Sequence, residues 1–339
     1  MGAFFLGFIL FVLWLNMSRP TVLILHSYST DYIWTREINV GLERILEQES
    51  WLDIRYHYMG TKKKGGKNFK HRAGVAARKA IDDMQPDVLI AIDDNAQKLA
   101  AKHYINDPKM KIVFAGVNGC QESYGYREAT NATGILECKP VDAVEELVKM
   151  LFADHFKDKL PKAVFASDTS FSASIDAKFL TDNQWTALDF QSPIAFDTFE
   201  AWQSYVRTVD NTADLLLVGA YRKMYRNDED KANERKFVTS TEVGSWTEAN
   251  SPIPVIGIND FNTRDGIMIS VGASPYEQGE TAAEYALHIL KDGKEIKDIP
   301  ITSSEQYLVA MRKSALEKRG IHAPKVLEAF ARATENYFE

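Results

Sequence analysis

The chain has 339 residues, 45% of them hydrophobic and 26% charged, which is ordinary for a globular protein. A formal net charge of -7 argues against a nucleic-acid-binding surface and disfavours strongly anionic ligands, although a local basic pocket can override the average. The length exceeds what a single hydrophobic core usually serves, so two domains are expected.

Phe4–Leu15 (FFLGFILFVLWL) is an almost unbroken apolar run. It is shorter than the about 20 residues a membrane-spanning helix needs, and it suits the apolar region of a secretory signal. No Lys or Arg precedes it, and no small-x-small cleavage site follows. Residues 1–19 therefore read as a signal peptide or an N-terminal anchor, with a buried first strand or helix as the alternative. No cysteine lies near the end of the run, so lipoprotein attachment is not expected. A periplasmic or otherwise extracytoplasmic location follows, with or without anchoring through residues 4–15.

From Thr21 onward the chain alternates short apolar runs with helical periodicity. Thr21–His26 reads as a strand and 34–47 as a helix, with Ile38, Leu42, Ile45 and Leu46 at helical spacing. A strand at 53–59, a helix at 71–84 ended by Pro86, a strand at 87–92, a helix at 95–104 and a strand at 111–115 follow. After the loop 116–131 comes a short strand at 133–137, and Pro140 opens a second series. Its strands are expected at 162–167, 187–191, 214–219, 254–259 and 266–272, and its helices at 140–152, 172–181, 199–209, 232–246 and 276–290. Residues 298–310 read as extended, with closing helices at 312–318 and 324–337. Continuous apolar strands separated by helices define an α/β chain with a parallel sheet in each of two units.

Most of these strands run into a short polar cluster, and in open parallel sheets ligands bind beyond the carboxyl ends of the strands. Asp93-Asp94 is the sharpest cluster. Two adjacent carboxylates can hold a divalent cation, accept hydrogen bonds from a ligand ammonium or hydroxyl, or cap the next helix. No phosphate-binding glycine loop and no partnered nucleophile accompanies them, so ligand contact or capping is favoured over catalysis. His26 lacks a nucleophile to serve and reads as a hydrogen-bonding or structural residue. Ser27 and Tyr28 are candidate ligand contacts. Trp34 is either a ligand-stacking ring or a helix core residue. Asn118, Asp168, Ser170, Tyr221, Asn259 and Asp260 gather at strand ends in the same way, where turn or cap roles compete with ligand contact. The run Lys62, Lys63, Lys64, Lys67 and Lys70 reads as a solvated loop. Cys120 and Cys138 either pair, closing a loop that contributes roughly 3 kcal/mol, or are two separate buried residues. No His or Cys cluster has zinc-ligand spacing.

Several segments carry a family resemblance. HSYSTDYIWTREINVGLERIL (His26–Leu46), PDVLIAIDDNAQKLA (Pro86–Ala100), KIVFAGVNG (Lys111–Gly119), ATGILE (Ala132–Glu137), SDTS (Ser167–Ser170), PVIGINDF (Pro254–Phe261) and VGASPYEQGETAAEYALHIL (Val271–Leu290) occur in this order. The set resembles the substrate-binding proteins of ABC transporters with the type I periplasmic-binding fold, in the branch that includes aromatic amino-acid binders and extracytoplasmic sensor domains. The resemblance runs from Thr21 to about Gly320. It implies two Rossmann-like lobes with parallel sheets, joined by about three crossings near residues 132, 273 and 304, with ligand in the cleft between them. Lobe 1 would comprise 21–131 plus 273–304 and lobe 2 132–272, with 305–339 forming a crossing and terminal helices. Helix 276–290 would then pack on the first lobe. The stretch Gly60–Lys70 departs from the resemblance by being longer and more basic.

The leading expectation is an exported, monomeric solute-binding protein, not an enzyme and without cofactor or metal. It would capture a small polar or aromatic metabolite and deliver it to an ABC permease. The alternatives are an extracytoplasmic receptor read by a membrane signalling protein, and a metal-dependent α/β enzyme using Asp93 and Asp94.

Overall fold

The computed structural model describes residues 19–62, 66–118, 124–156, 159–233 and 235–339, apart from the side chains of residues 153, 154 and 171. The apolar run at 4–15, Lys63, Lys64 and Cys120 lie outside these residues, so the expectations about a leader and a cysteine pair fall there too. Among the described residues no helix is long and apolar enough to cross a membrane.

The described chain divides into two compact units, one of residues up to 137 plus 275–304 and the other of 138–274 plus 305–339. In chain order the first contains β1 (Thr21–His26), α1 (Ile33–Leu46), β2 (Asp53–Tyr58), α2 (Lys67–Met84), β3 (Val88–Ile92), α3 (Asp93–Leu99), β4 (Ile112–Val117) and β5 (Ala132–Leu136). The second follows with α4 (Val141–Phe156), β6 (Lys162–Asp168), α5 (Phe171–Asp182), β7 (Asp189–Phe190), β8 (Ile194–Phe196), α6 (Phe199–Val206), β9 (Leu215–Val218), α7 (Asp228–Ala232), α8 (Ser240–Asn250), β10 (Val255–Gly257), α9 (Phe261–Arg264) and β11 (Ile269–Ala273). The chain then returns to the first unit for α10 (Pro275–Leu290) and β12 (Thr302–Ser303), and ends in the second with β13 (Tyr307–Arg312), α11 (Lys313–Lys318), α12 (Lys325–Ala333) and β14 (Tyr337–Phe338).

The first sheet has the order β12-β5-β4-β3-β1-β2, with every neighbouring pair parallel. Side chains alternate along a strand, so a run apolar at every position must be covered on both faces. Val22 and Ile24 join one core with Ile38 and Leu42 of α1 and Ala282 and Ala286 of α10. Leu23 and Leu25 join the other with Ala77 and Ile81 of α2 and Phe114 of β4. Helices α1 and α10 touch backbone to backbone. A Cβ on Gly279 would lie 2.2 Å from the Ile38 carbonyl oxygen, and one on Gly41 would lie 2.3 Å from that of Tyr276. Residues 132–136, read from the sequence as the start of the second lobe, instead extend the first sheet as β5 beside β4.

The second sheet has the order β14-β13-β11-β10-β9-β6-β7, with β8 also pairing β6. Its pairs are parallel except β11 with β13, which is antiparallel, a departure from the all-parallel expectation. Parallel neighbours need a long crossover connection, whereas antiparallel ones do not. The segment between β11 and β13 belongs to the other unit. The terminal segment is fixed by a buried ion pair: Arg319 Nε donates to Glu248 Oε1 and Arg319 Nη1 donates to the Ile253 carbonyl at 2.9 Å. The helix expected at 232–246 is split into α7 and α8, because Thr239 caps a new start by accepting from the Glu242 N–H at 3.2 Å.

Candidate functional site

In the first unit the polar residues gather at the carboxyl ends of β1, β3 and β4. Ser27 follows β1, and its hydroxyl accepts from the Ala96 N–H at 2.7 Å while donating to the Ile92 carbonyl at 2.8 Å. The hydroxyl therefore satisfies a donor in the first turn of α3, which begins at Asp93, two residues earlier than expected. Ser27 was a candidate ligand contact, and its hydroxyl is already committed to the backbone.

Asp93 is the centre of the group. It is 2% exposed and has φ 65°, a left-handed conformation that non-glycine residues seldom adopt. Its Oδ1 accepts from Trp34 Nε1 at 3.0 Å, whereas its buried Oδ2 has no hydrogen-bond partner among the described residues. Burial, then the neighbouring carboxylates of Glu137 and Asp94, push the Asp93 carboxyl well above the usual range, against the opposing influence of Lys62 and the Trp34 bond. Gly116 allows this arrangement. It has φ 63°, and a Cβ there would stand 3.1 Å from Asp93 Oδ1. The Gly116 N–H donates to Gln278 Oε1 at 2.7 Å, and Gln278 Nε2 donates to Ser304 Oγ at 2.7 Å, so α10 holds the turn beside Asp93.

Asp94 is half-buried and accepts from the Tyr124 hydroxyl at 2.7 Å and from Asn118 Nδ2 at 3.5 Å. Tyr28 and Tyr32 meet edge to face with ring centroids 5.2 Å apart, and the Lys62 ammonium lies 4.8 Å and 5.0 Å from those centroids. Desolvation, followed by the Asp93 charge, raises the Tyr28 phenol. The structure thus brings Tyr28, Trp34, Asp93, Asp94 and Asn118 together. It adds Tyr32, Lys62 and Tyr124, which the sequence analysis did not single out as ligand contacts. Lys62 in particular had been read as part of a solvated loop, and no periodic signal ties it to the tyrosines of the neighbouring strand's loop. Trp34 resolves toward a polar role, since its indole N–H orients Asp93.

The second unit treats its candidates differently. Asp168 is buried, and its carboxylate accepts from the Ser170 N–H and the Lys223 N–H, each at 2.9 Å. Ser170 caps α5 by accepting from the Ala173 N–H at 3.4 Å. Tyr221, a candidate contact, is fully buried between Trp202 and Phe261, with its hydroxyl 3.3 Å from Asp265 Oδ2. These three side chains hold loops and core. Asn259 Oδ1 accepts from Lys139 Nζ at 2.8 Å, and Lys139 lies 3.6 Å from Asp176 in a buried ion pair. Burial raises the Asp176 carboxyl, the Lys139 charge opposes this, and Asp168 adds to it. Asp260 is 8% exposed, with Oδ2 3.9 Å from Arg264 Nε. Lys139 and Asp176 carried no signal in the sequence, because their partners are distant along the chain. Among the described residues no group of three or more His, Cys, Asp or Glu side chains is placed to hold a metal ion.

Comparison with known proteins bears on the fold. Residues 235–335 match the family described as ABC transporter substrate binding protein. A ligand-free, open substrate binding protein with adhesive properties from Clostridium difficile is 16% identical, over 90% of this chain and 96% of that one, with a TM-score of 0.65. A conserved domain protein from Vibrio cholerae is 16% identical, over 95% of this chain and 100% of that one, at a TM-score of 0.61. The ABC domain from Streptococcus pneumonia solved with L-Trp is 14% identical, over 92% and 98%, also at 0.61. Comparison with curated proteins finds no match. The fold is the type I periplasmic-binding fold, with two α/β units and sheets dominated by parallel pairs. Within it, residues 235–335 carry the pattern of the ABC transporter substrate-binding family, as the sequence resemblance implied.

Proposed function

We propose that this chain is the extracytoplasmic solute-binding component of an ABC transporter, and that the group around Asp93 forms the first unit's part of its ligand site. The solute is a small molecule with an amine and an aromatic or otherwise flat apolar part, a class that includes aromatic amino acids. It is passed to a membrane permease. The observation that carries this reading is the Asp93 carboxyl, which is buried, held in a left-handed backbone conformation and left with an unpartnered Oδ2 beside Trp34. An unpaired buried polar group costs roughly 1–3 kcal/mol, and a ligand N–H or O–H would satisfy it. Backbone held in a sparsely populated conformation is also typical of ligand clamps. The family match over residues 235–335 supports the transport setting, and one structural neighbour was solved with L-Trp.

Native mass spectrometry of the purified protein tests it. A co-purifying small molecule that carries an amine, and that is lost from the Asp93→Asn variant, is the expected result. A retained divalent metal with turnover, or a bound molecule without any amine, would overturn the reading.

A further inference from the structure

The Lys62 ammonium occupies a place that suits a ligand. Tyr28 and Tyr32 present two rings at 80° to each other, and the ammonium lies within 5.0 Å of both ring centroids. Such a notch is the usual surrounding for an organic cation, because ring faces are electron-rich. The tyrosines follow β1, Lys62 follows β2, and Asp93 follows β3, on the other side of β1 in the sheet. The notch therefore lies at the same end of the sheet as Asp93 and Asp94, whose charges act on Tyr28, and Asp93 Oδ2 is buried and unpartnered among the described residues. Lys62 itself is exposed, so its ammonium can swing into water on its flexible stem with little loss of solvation. Two ammonium groups cannot share the notch, since like charges a few ångströms apart repel.

We propose that the Tyr28–Tyr32 notch is the ammonium subsite of the ligand face, and that Lys62 is a tethered counter-ion that fills it until an organic ammonium ligand takes its place. The inference rests on the reading that this face binds the ligand. It assigns Lys62 a part in specificity: only a cation that outcompetes the chain's own amine is retained, and a neutral analogue of the same shape is not.

The test uses the full chain with 13C-labelled lysine, tryptamine as the cationic probe and tryptophol as its neutral counterpart. Ring currents from the two tyrosines should place the Lys62 ε-methylene signal upfield of the solvated lysines, with the assignment made by its loss in Lys62→Met. Saturating tryptamine should return that signal to the solvated position. By calorimetry, Lys62→Met should bind tryptamine about tenfold more tightly than the wild type, with tryptophol unchanged. A Lys62 signal at the solvated position before any probe is added would overturn the inference. So would tryptamine binding that leaves the signal in place, or binding that is unchanged or weakened in Lys62→Met. Failure of both proteins to bind either probe, with the signal upfield, would count against the ligand face itself and against the inference with it.

Discussion

His26 and Asp93 show how single buried groups couple this fold to pH. His26 is fully buried at the end of β1, with Nε2 2.7 Å from Asn39 Oδ1 and its ring stacked on Tyr58. Burial lowers its pKa from 6.5 to about 4, against the opposing Asn39 bond. The unfolded chain takes up the proton more readily, so the stability that neutral His26 contributes is complete above pH 6.5 and is lost as pH falls towards 4. The gap corresponds to on the order of 3 kcal/mol. In urea unfolding, the wild type should lose about that much more stability than His26→Phe between pH 7 and pH 4. Parallel losses in the two proteins would contradict the assignment. Asp93 has the opposite sign. Its carboxyl is raised by burial and by Glu137 and Asp94, so the folded state holds the proton longer and stability falls as pH rises past the usual carboxylate range. Asp93→Asn should therefore be more stable than the wild type at pH 8, with a smaller advantage at pH 4. A destabilised variant at both pH values would mean that the carboxylate supports the fold. Asp93 and Asp94 were legible in the sequence, because adjacent carboxylates closing an apolar run stand out. Ser27, Asp168 and Tyr221 were legible only as strand-end residues. What their polar atoms bind is set by chain segments far away in sequence: Ala96, Lys223 and Asp265.

At the scale of elements, α1 and α10 illustrate what periodicity conveys and what it omits. The spacing of Ile38, Leu42 and Leu46 reveals an amphipathic helix, and these side chains are buried. It does not reveal that the helix meets α10 through glycines at positions 41 and 279, since close backbone approach leaves no apolar signature. Gly279→Ala would drive a Cβ to within 2.2 Å of the Ile38 carbonyl oxygen, and the helices would have to separate. Overpacking of this kind costs about 1–3 kcal/mol. A fall of that size in chemical denaturation is expected, and an unchanged midpoint would show that the crossing is loose. Other departures are similarly local. The Ser27 hydroxyl holds the first turn of α3, the Thr239 cap marks a new start within a helix read as continuous, and β13 returns from the first unit antiparallel to β11.

For the whole molecule, alternation of apolar runs and helices was enough to indicate two α/β units, because parallel sheets buried on both faces demand strands that are apolar throughout. The chain changes unit after 137, 274 and 304, against expected crossings near 132, 273 and 304. Nothing in the composition near residue 132 distinguishes a strand that closes one sheet from one that opens another. The acidic balance of the chain conveyed little about the site, where the charge of the exposed Lys62 acts on the buried Asp93. Asp93 and Asp94 are proposed as the anchor of a captured solute. Calorimetry of the compound identified by native mass spectrometry, run against the wild type, Asp93→Asn and Asp94→Ala, tests this most directly. Loss of a buried hydrogen-bond partner costs roughly 1–3 kcal/mol, so affinity should fall by about tenfold or more in each variant while the far-ultraviolet circular dichroism stays native. Wild-type affinity in both variants, with the fold preserved, would contradict it and leave the two carboxylates as parts of the turn into α3.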